Sequence, residues 1–245
     1  MFKAVVSDLD GTLLNAEHKV SEFTRETVEL LLKKGIKFYI ATGRNYLGAK
    51  EAMDELGVKV PLITSHGSVA FDENGNEIFS NNLKREYLDK VLDIDYKSFG
   101  KDIIITGYSG PNWFVTEDLR EYFYNKKPDR TRYPKQITPE EFKKHNFTKI
   151  FFLGEDHDEL LELENEIRKA VGDGNISLLF ANEGSLEVFS ANCNKAKAAE
   201  VLLERDGLTL KDAVSFGDGL NDYELITETG LGFAMGNSIY LLLEK

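Results

Sequence analysis

The sequence predicts an α/β fold: a doubly wound parallel-sheet core with an α+β domain inserted into it. Three observations carry this reading. Short apolar runs rich in β-branched residues alternate with helical patterns up to about residue 65, as a parallel sheet with crossover helices requires. From about residue 83 paired extended runs with helices between them replace that rhythm, and from Asn194 the parallel rhythm returns. Residues 1–82 and 184–245 are therefore expected to form one discontinuous core, and 83–183 the inserted domain.

The first strand, residues 2–6, reaches Asp8 and then Asp10 before the chain turns at Gly11-Thr12. Ligands bind at the carboxyl ends of strands in open α/β sheets, because the loops leaving them fan apart there. Acids one residue apart would face opposite ways on a continuing strand. Gly11 ends the strand, so both side chains and a backbone carbonyl can approach one small site. A helix follows over 21–34, stopped by Gly35. The second strand runs from residue 36 into Thr42-Gly43-Arg44, a helix spans 49–56, and a third strand over 60–64 ends at Ser65-His66-Gly67.

Residues 68–80 read as a hairpin about Asn74-Gly75. The insert is expected to hold a helix over 83–98, strands at 103–108 and 113–116, and a short helix near 118–124. An irregular stretch through Pro128, Pro134 and Pro139 precedes a strand at 149–153, a helix at 158–171, and strands at 176–180 and 186–189. The core resumes with an Ala- and Leu-rich helix over 195–205 and a strand over 213–216. Gly217-Asp218-Gly219 breaks that strand just before Asn221 and Asp222, and a last strand over 231–235 stops at Gly236-Asn237.

Composition limits the function. Of the 245 residues 42% are hydrophobic and 29% charged, the balance of a soluble globular protein. The net charge of −12 is opposite to that of a general nucleic-acid binder, so an anionic substrate would need cationic charge supplied locally. The first residues suit neither a secretory signal nor a membrane anchor, and a cytoplasmic protein without membrane or nucleic-acid partners, a monomer or weak homodimer, is expected. Cys193 is the single cysteine, which rules out an intramolecular disulfide and leaves it a packed or bystander thiol.

Polar clusters stand at three strand ends: Asp8 and Asp10, Thr42 to Arg44, and Asp218 to Asp222, with Lys195 opening a helix between the last two. Carboxylates converging from different strands suit Mg2+, a hard cation that prefers oxygen ligands. A carboxylate can also attack phosphorus, and Asp10 is spaced to act as acid and then base.

DLDGT at 8–12, ATGR at 41–44, Lys195 and GDGLND at 217–222, in that order, resemble the four motifs of haloacid dehalogenase-like hydrolases. The insertion between the second and third resembles the Cof-type subfamily with a type IIB cap. The resemblance implies a Rossmann-like core and a Mg2+-dependent phosphatase of a small phosphate ester, a sugar phosphate or cofactor phosphate. Asp8 would be the nucleophile and Asp10 the acid and base. Thr42 and the Gly43 amide would bind the transferring group, with Asn221 on the phosphoryl side. Lys195 would neutralise charge and hold Asp8. Asp8, the Asp10 carbonyl and Asp218 would bind the metal, with Asp222 supporting them. The second acid favours phosphate esters over halides, since dehalogenation produces no alkoxide to protonate. A sugar phosphomutase and a non-catalytic phospho-ligand sensor are the alternatives.

Several residues keep two readings. Thr42 could merely end a strand, Lys195 could be a solvated helix lysine, and Asp218 and Asp222 could form turns. Arg44 either contacts substrate or pairs with an acid in the core. His66 stands where the family usually has Asn, and either touches substrate or is a hydrogen-bonded loop histidine. His18, His145 and His157 are expected at the surface. Residues 121–149 hold eight Lys or Arg against four acids, a solvated face or a surface attracting a phosphorylated ligand. Tyr108, Trp113 and Tyr122 suit stacking on a sugar or base and core packing equally. Family members usually continue past the Gly-Asn-Ser segment with another strand and helix, whereas this sequence stops at Lys245; it is either naturally short or truncated, and in the second case an edge of the core sheet is expected to be less protected.

Overall fold

A computed structural model describes residues 2–110, 112–119 and 134–243. The chain divides into two compact units, Met1–Ser80 with Cys193–Lys245, and Asn81–Asn192. In chain order the first unit begins with β1 (Ala4–Ser7), α1 (Glu22–Lys33), β2 (Lys37–Ala41), α2 (Tyr46–Leu56), β3 (Leu62–Thr64), β4 (Val69–Phe71) and β5 (Glu77–Ser80). The second holds α3 (Arg85–Leu92), β6 (Ile104–Ser109), β7 (Asn112–Val115), β8 (Lys135–Gln136), α4 (Pro139–Phe142), β9 (Lys149–Leu153), α5 (His157–Val171), β10 (Ile176–Asn182) and β11 (Ser185–Ser190). The first unit closes with α6 (Lys195–Arg205), β12 (Ala213–Gly217), α7 (Tyr223–Glu228), β13 (Leu231–Ala234) and α8 (Tyr240–Leu243).

The first unit carries a seven-stranded sheet ordered β13-β12-β1-β2-β3-β4-β5. It is parallel from β13 to β3, and the hairpin β4-β5 extends it antiparallel. Four of the five β2 residues are buried, as expected of a parallel strand covered on both faces. Helix starts follow local chemistry. Ser21 Oγ accepts from the Thr24 amide at 3.1 Å, and Asn45 Oδ1 from the Gly48 amide at 2.8 Å, each meeting an otherwise orphaned donor of the first turn.

The second unit has a six-stranded sheet, β10-β11-β9-β6-β7-β8, antiparallel except between β7 and β8. Helices α3 and α5 cover one face, where Leu88, Leu160 and Leu163 pack against Ile150, Phe152 and Val188. The alternation of β9 turns Lys149, Phe151 and Leu153 to the other face. There Lys149 Nζ lies 2.8 Å from Glu187 Oε1, both side chains nearly covered. Tyr108, Trp113 and Phe151 pack together on this face, and the Lys149 ammonium sits over the Tyr108 and Phe151 rings.

The insert runs to Asn192 rather than 183, because β11 pairs with both β9 and β10. Helix α3 stops at Leu92 instead of Ser98, with a separate short turn at Tyr96–Ser98. In the stretch read as irregular, α4 forms one turn behind a reciprocal Thr138–Glu141 cap. Tyr122, Pro128, most of the helix expected near 118–124 and half of the basic stretch lie outside the described residues. No helix among the described residues is long and apolar enough to cross a membrane.

Candidate active site

Strand order brings the polar clusters together. β1 lies between β12 and β2, with Ser7 in register with Phe216 on one side and Ile40 on the other. Residues leaving the carboxyl ends of three adjacent strands, Asp8, Thr42 and Asp218, therefore share one edge of the sheet. The Asp8 amide continues the pairing, donating to the Phe216 carbonyl at 3.0 Å. Residues 9–13 then form a single wide turn, closed by the Leu14 amide on the Leu9 carbonyl at 2.9 Å. Gly11 sits in that turn at φ +80°, and a Cβ there would run into the Asp218 carboxylate. Conformation and space both require glycine.

Lys195, the first residue of α6, is fully buried. Its Nζ lies 2.5 Å from Asp8 Oδ1 and 2.6 Å from Asp222 Oδ1. Asp222 uses its other oxygen to accept from the Asp218 and Gly219 amides at 3.1 and 3.0 Å, so it braces the loop as well as the lysine. Asp218 is held from outside the expected set: Thr12 Oγ1 donates to its Oδ1 at 3.1 Å, and Asn237 Nδ2 to its Oδ2 at 3.3 Å.

Arg44 grips Asp10, with Nε to Oδ2 at 2.7 Å and Nη2 to Oδ1 at 2.5 Å. Of its two readings the structure realises the acid pair, a bidentate one. His18, exposed as expected, nevertheless brings Nδ1 to 3.5 Å from Asp10 Oδ1. Its backbone is left-handed, φ +56°, which no apolar periodicity in the sequence signals. Thr42 is buried; its hydroxyl accepts from the Arg44 amide at 3.1 Å. His66 pairs Nδ1 with Asn221 Nδ2 at 3.2 Å and lies against Gly43. All the expected site residues thus fall in the first unit, at the sheet edge carrying Asp8.

Burial pushes the Asp8 carboxyl up to about 7; the Lys195 ammonium opposes the rise and Asp222 adds to it. Burial likewise raises Asp218, against the Thr12 hydrogen bond. For Lys195 burial disfavours the charge, but Asp8 and Asp222 outweigh it and hold the pKa above the ordinary lysine value. One ammonium cannot balance three carboxylates, and the surplus negative charge is what a divalent cation would neutralise. Asp8, Asp218 and Asp222 offer oxygens that all lie within 4.8 Å of one another. An all-oxygen set with a glycine cradle under Asp218 fits Mg2+. Asp222 gives one oxygen to the Lys195 ammonium and the other to two backbone amides, whereas each Asp218 oxygen meets a single neutral side-chain donor, which makes Asp8 and Asp218 the better-placed direct carboxylate donors.

The profile of the haloacid dehalogenase-like hydrolase family matches residues 5–245. The chain is 36% identical to a Buchnera aphidicola subsp. Baizongia pistaciae protein, covering 99% of this chain and 89% of the relative. It is 31% identical to a protein of Enterobacter sp. strain 638 named HMP-PP phosphatase, over 100% of this chain and 88% of that one. Among solved structures, a sugar phosphatase of subclass IIB of the same superfamily superposes with a TM-score of 0.76 at 22% identity, over 99% of this chain and 90% of the other.

Proposed function

The chain belongs to the haloacid dehalogenase-like hydrolase family, and from that premise we propose that it is a Mg2+-dependent phosphatase of a small phosphorylated metabolite, a sugar phosphate or cofactor phosphate. The observation that carries the proposal is the buried group of Lys195, Asp8 and Asp222 with Asp218 beside it. A carboxylate held by an ammonium, amid surplus negative charge, suits attack on an anionic phosphorus only together with a cation.

In this reading one Asp8 oxygen bonds to phosphorus as the bond from phosphorus to the leaving oxygen breaks, and Asp10 gives its proton to the departing alkoxide. Asp10 then takes a proton from water. The water oxygen bonds to phosphorus, the bond to Asp8 breaks, and orthophosphate leaves with the carboxylate regenerated. Thr42, the Gly43 amide and Asn221 donate to the phosphoryl oxygens while Lys195 offsets their charge. Asp8, the Asp10 carbonyl and Asp218, supported by Asp222, would hold Mg2+, which supplies charge neutralisation at the phosphoryl group. Arg44 engages both Asp10 oxygens and so fixes the plane of the carboxyl group that handles the proton. In this reading the inserted unit serves as the cap that selects the substrate; a small phosphate ester as substrate is supported by the HMP-PP phosphatase and sugar phosphatase named above.

The test is orthophosphate release from p-nitrophenyl phosphate and a panel of phosphorylated metabolites. Mg2+ is expected to support turnover, a chelator to stop it, and Asp8→Asn to abolish it. Turnover by purified Asp8→Asn would refute the nucleophile.

A further inference from the structure

We propose that His66 is the positioning residue for Asn221, acting from a strained loop to aim the Asn221 carboxamide at a phosphoryl oxygen of the ligand. The inference rests on the phosphoryl-transfer reading of the site.

Among the described residues, only His18, Ser65 and His66 are non-glycine residues with left-handed backbone, and the last two are adjacent, at φ +50° and +58°. Such conformations persist only where the surroundings over-determine them. Here they do. The Ser65 amide donates to the Arg44 carbonyl at 2.8 Å, the His66 amide to the Thr42 carbonyl at 3.1 Å, and the Ser68 amide to the Ser65 carbonyl at 3.0 Å. The His66 ring then lies so close to Gly43 that a Cβ there would run into it. The loop after β3 is thereby fastened to the loop after β2, and the imidazole can point in one direction.

That direction is Asn221. In the sheet β3 and β12 are separated by β2 and β1, so the bond from Asn221 Nδ2 to His66 Nδ1, 3.2 Å, spans the two strand ends that deliver Thr42 and Asp8. Because the amide donates, Nδ1 is the acceptor and the ring proton sits on Nε2. A carboxamide nitrogen carries two hydrogens. His66 takes one and fixes the plane of the group; the other is left for an anionic oxygen beside Asp8. Asn221 itself stands in a short turn at Leu220–Asp222, and its bond to His66 fixes its rotamer.

Side-chain length supplies the discriminating test. The δ oxygen of asparagine occupies the place of imidazole Nδ1, and asparagine tolerates the left-handed backbone. Glutamine puts its acceptor one atom too far, and alanine has none. With Mg2+ supplied, kcat and KM on p-nitrophenyl phosphate and the Kd of inorganic phosphate are measured for wild type, His66→Ala, His66→Gln, His66→Asn, Asn221→Ala and the Ala–Ala double variant.

Expected are losses of about tenfold in kcat and in phosphate affinity for His66→Ala, the size of one hydrogen bond to an anion. Asn221→Ala should match it, the double variant should be no worse than either single, and His66→Asn should stay within about threefold of wild type while His66→Gln does not. Losses that multiply in the double variant overturn the inference, as does a His66→Asn variant that melts like wild type yet is as impaired as His66→Ala. Wild type that hydrolyses no ester would sink the phosphatase reading separately. The phosphate titrations then decide alone: equal weakening by either single variant sustains the inference, and wild type without phosphate affinity overturns it.

Discussion

Replacing Lys195 by Met removes a fully buried ammonium while keeping much of its volume. Wild-type Nζ stands 2.5 Å from Asp8 and 2.6 Å from Asp222, so the variant leaves two covered carboxylates facing each other with no counter-charge. Removing one partner of a buried pair costs about 3–5 kcal/mol. At roughly 2–4 °C per kcal/mol for a chain of this size, the melting temperature should fall by about 6–20 °C. The assay is thermal unfolding in chelator and again in excess Mg2+. The deficit should be larger in chelator, where nothing else offsets the charge. It should also grow as pH rises. A carboxyl raised in the folded state contributes stability that is fully present below its unfolded value and lost as pH climbs through its folded value. Without the ammonium the Asp8 carboxyl rises further, so its protonated form masks the defect in acid. Adding Asp8→Asn to the variant should recover part of the loss. A Lys195→Met protein melting within about 2 °C of wild type in chelator at neutral pH, less than 1 kcal/mol on that scale, would refute the charge-balance argument and with it the electrostatic case for a cation.

Three further outcomes follow from the geometry. In chelator, wild-type stability should decline as pH rises from about 4 toward 7 through the Asp8 contribution, and Asp8→Asn should flatten that part of the curve; a wild-type curve of unchanged slope in the variant counts against it. Gly11→Ala should destabilise by about 1–2 kcal/mol from left-handed backbone alone, with a further loss of Mg2+ response because the new Cβ meets the Asp218 carboxylate; urea unfolding and a metal titration read the two effects. In the second unit Lys149→Met should cost about 3 kcal/mol by removing the buried counter-charge beside Glu187, and Lys149→Met with Glu187→Leu should restore most of it; a double variant no more stable than the single would show that the pair does not carry the effect.

The sequence disclosed most about features set by neighbours in the chain. The run ending at Asp8, the turn at Gly11 and the break at 217–219 are local, and the order of their motifs makes Lys195 conspicuous among the chain's lysines. Features set by distant pairing were less legible. The insert continues to Asn192 because β11 lies between β9 and β10, a fact of sheet register that no composition shift near 184 reveals. At Arg44 the sequence suits substrate contact and acid pairing equally, since a guanidinium after a strand fits either, and its pair with Asp10 is a contact between residues far apart in the chain. His18 was placed at the surface, correctly by exposure, but its contact with Asp10 depends on a left-handed backbone in a loop tied by Asn15. Thr12 and Asn237 brace Asp218 from positions 206 and 19 residues away, and only Thr12 lay within a recognised motif.

The place of β1 in its sheet also bears on how the protein is made. Its two neighbours come from opposite sides of the insert: β2 follows within the first 41 residues, whereas β12 ends at Gly217. A ribosome therefore displays β1 with one flank unpaired, and Asp8 without Lys195, until well over a hundred further residues have emerged. No fragment ending inside the insert can assemble the charge cluster, so a prematurely released chain carries Asp8, Asp10, Thr42 and Arg44 but neither Lys195 nor the Asp218–Asp222 loop.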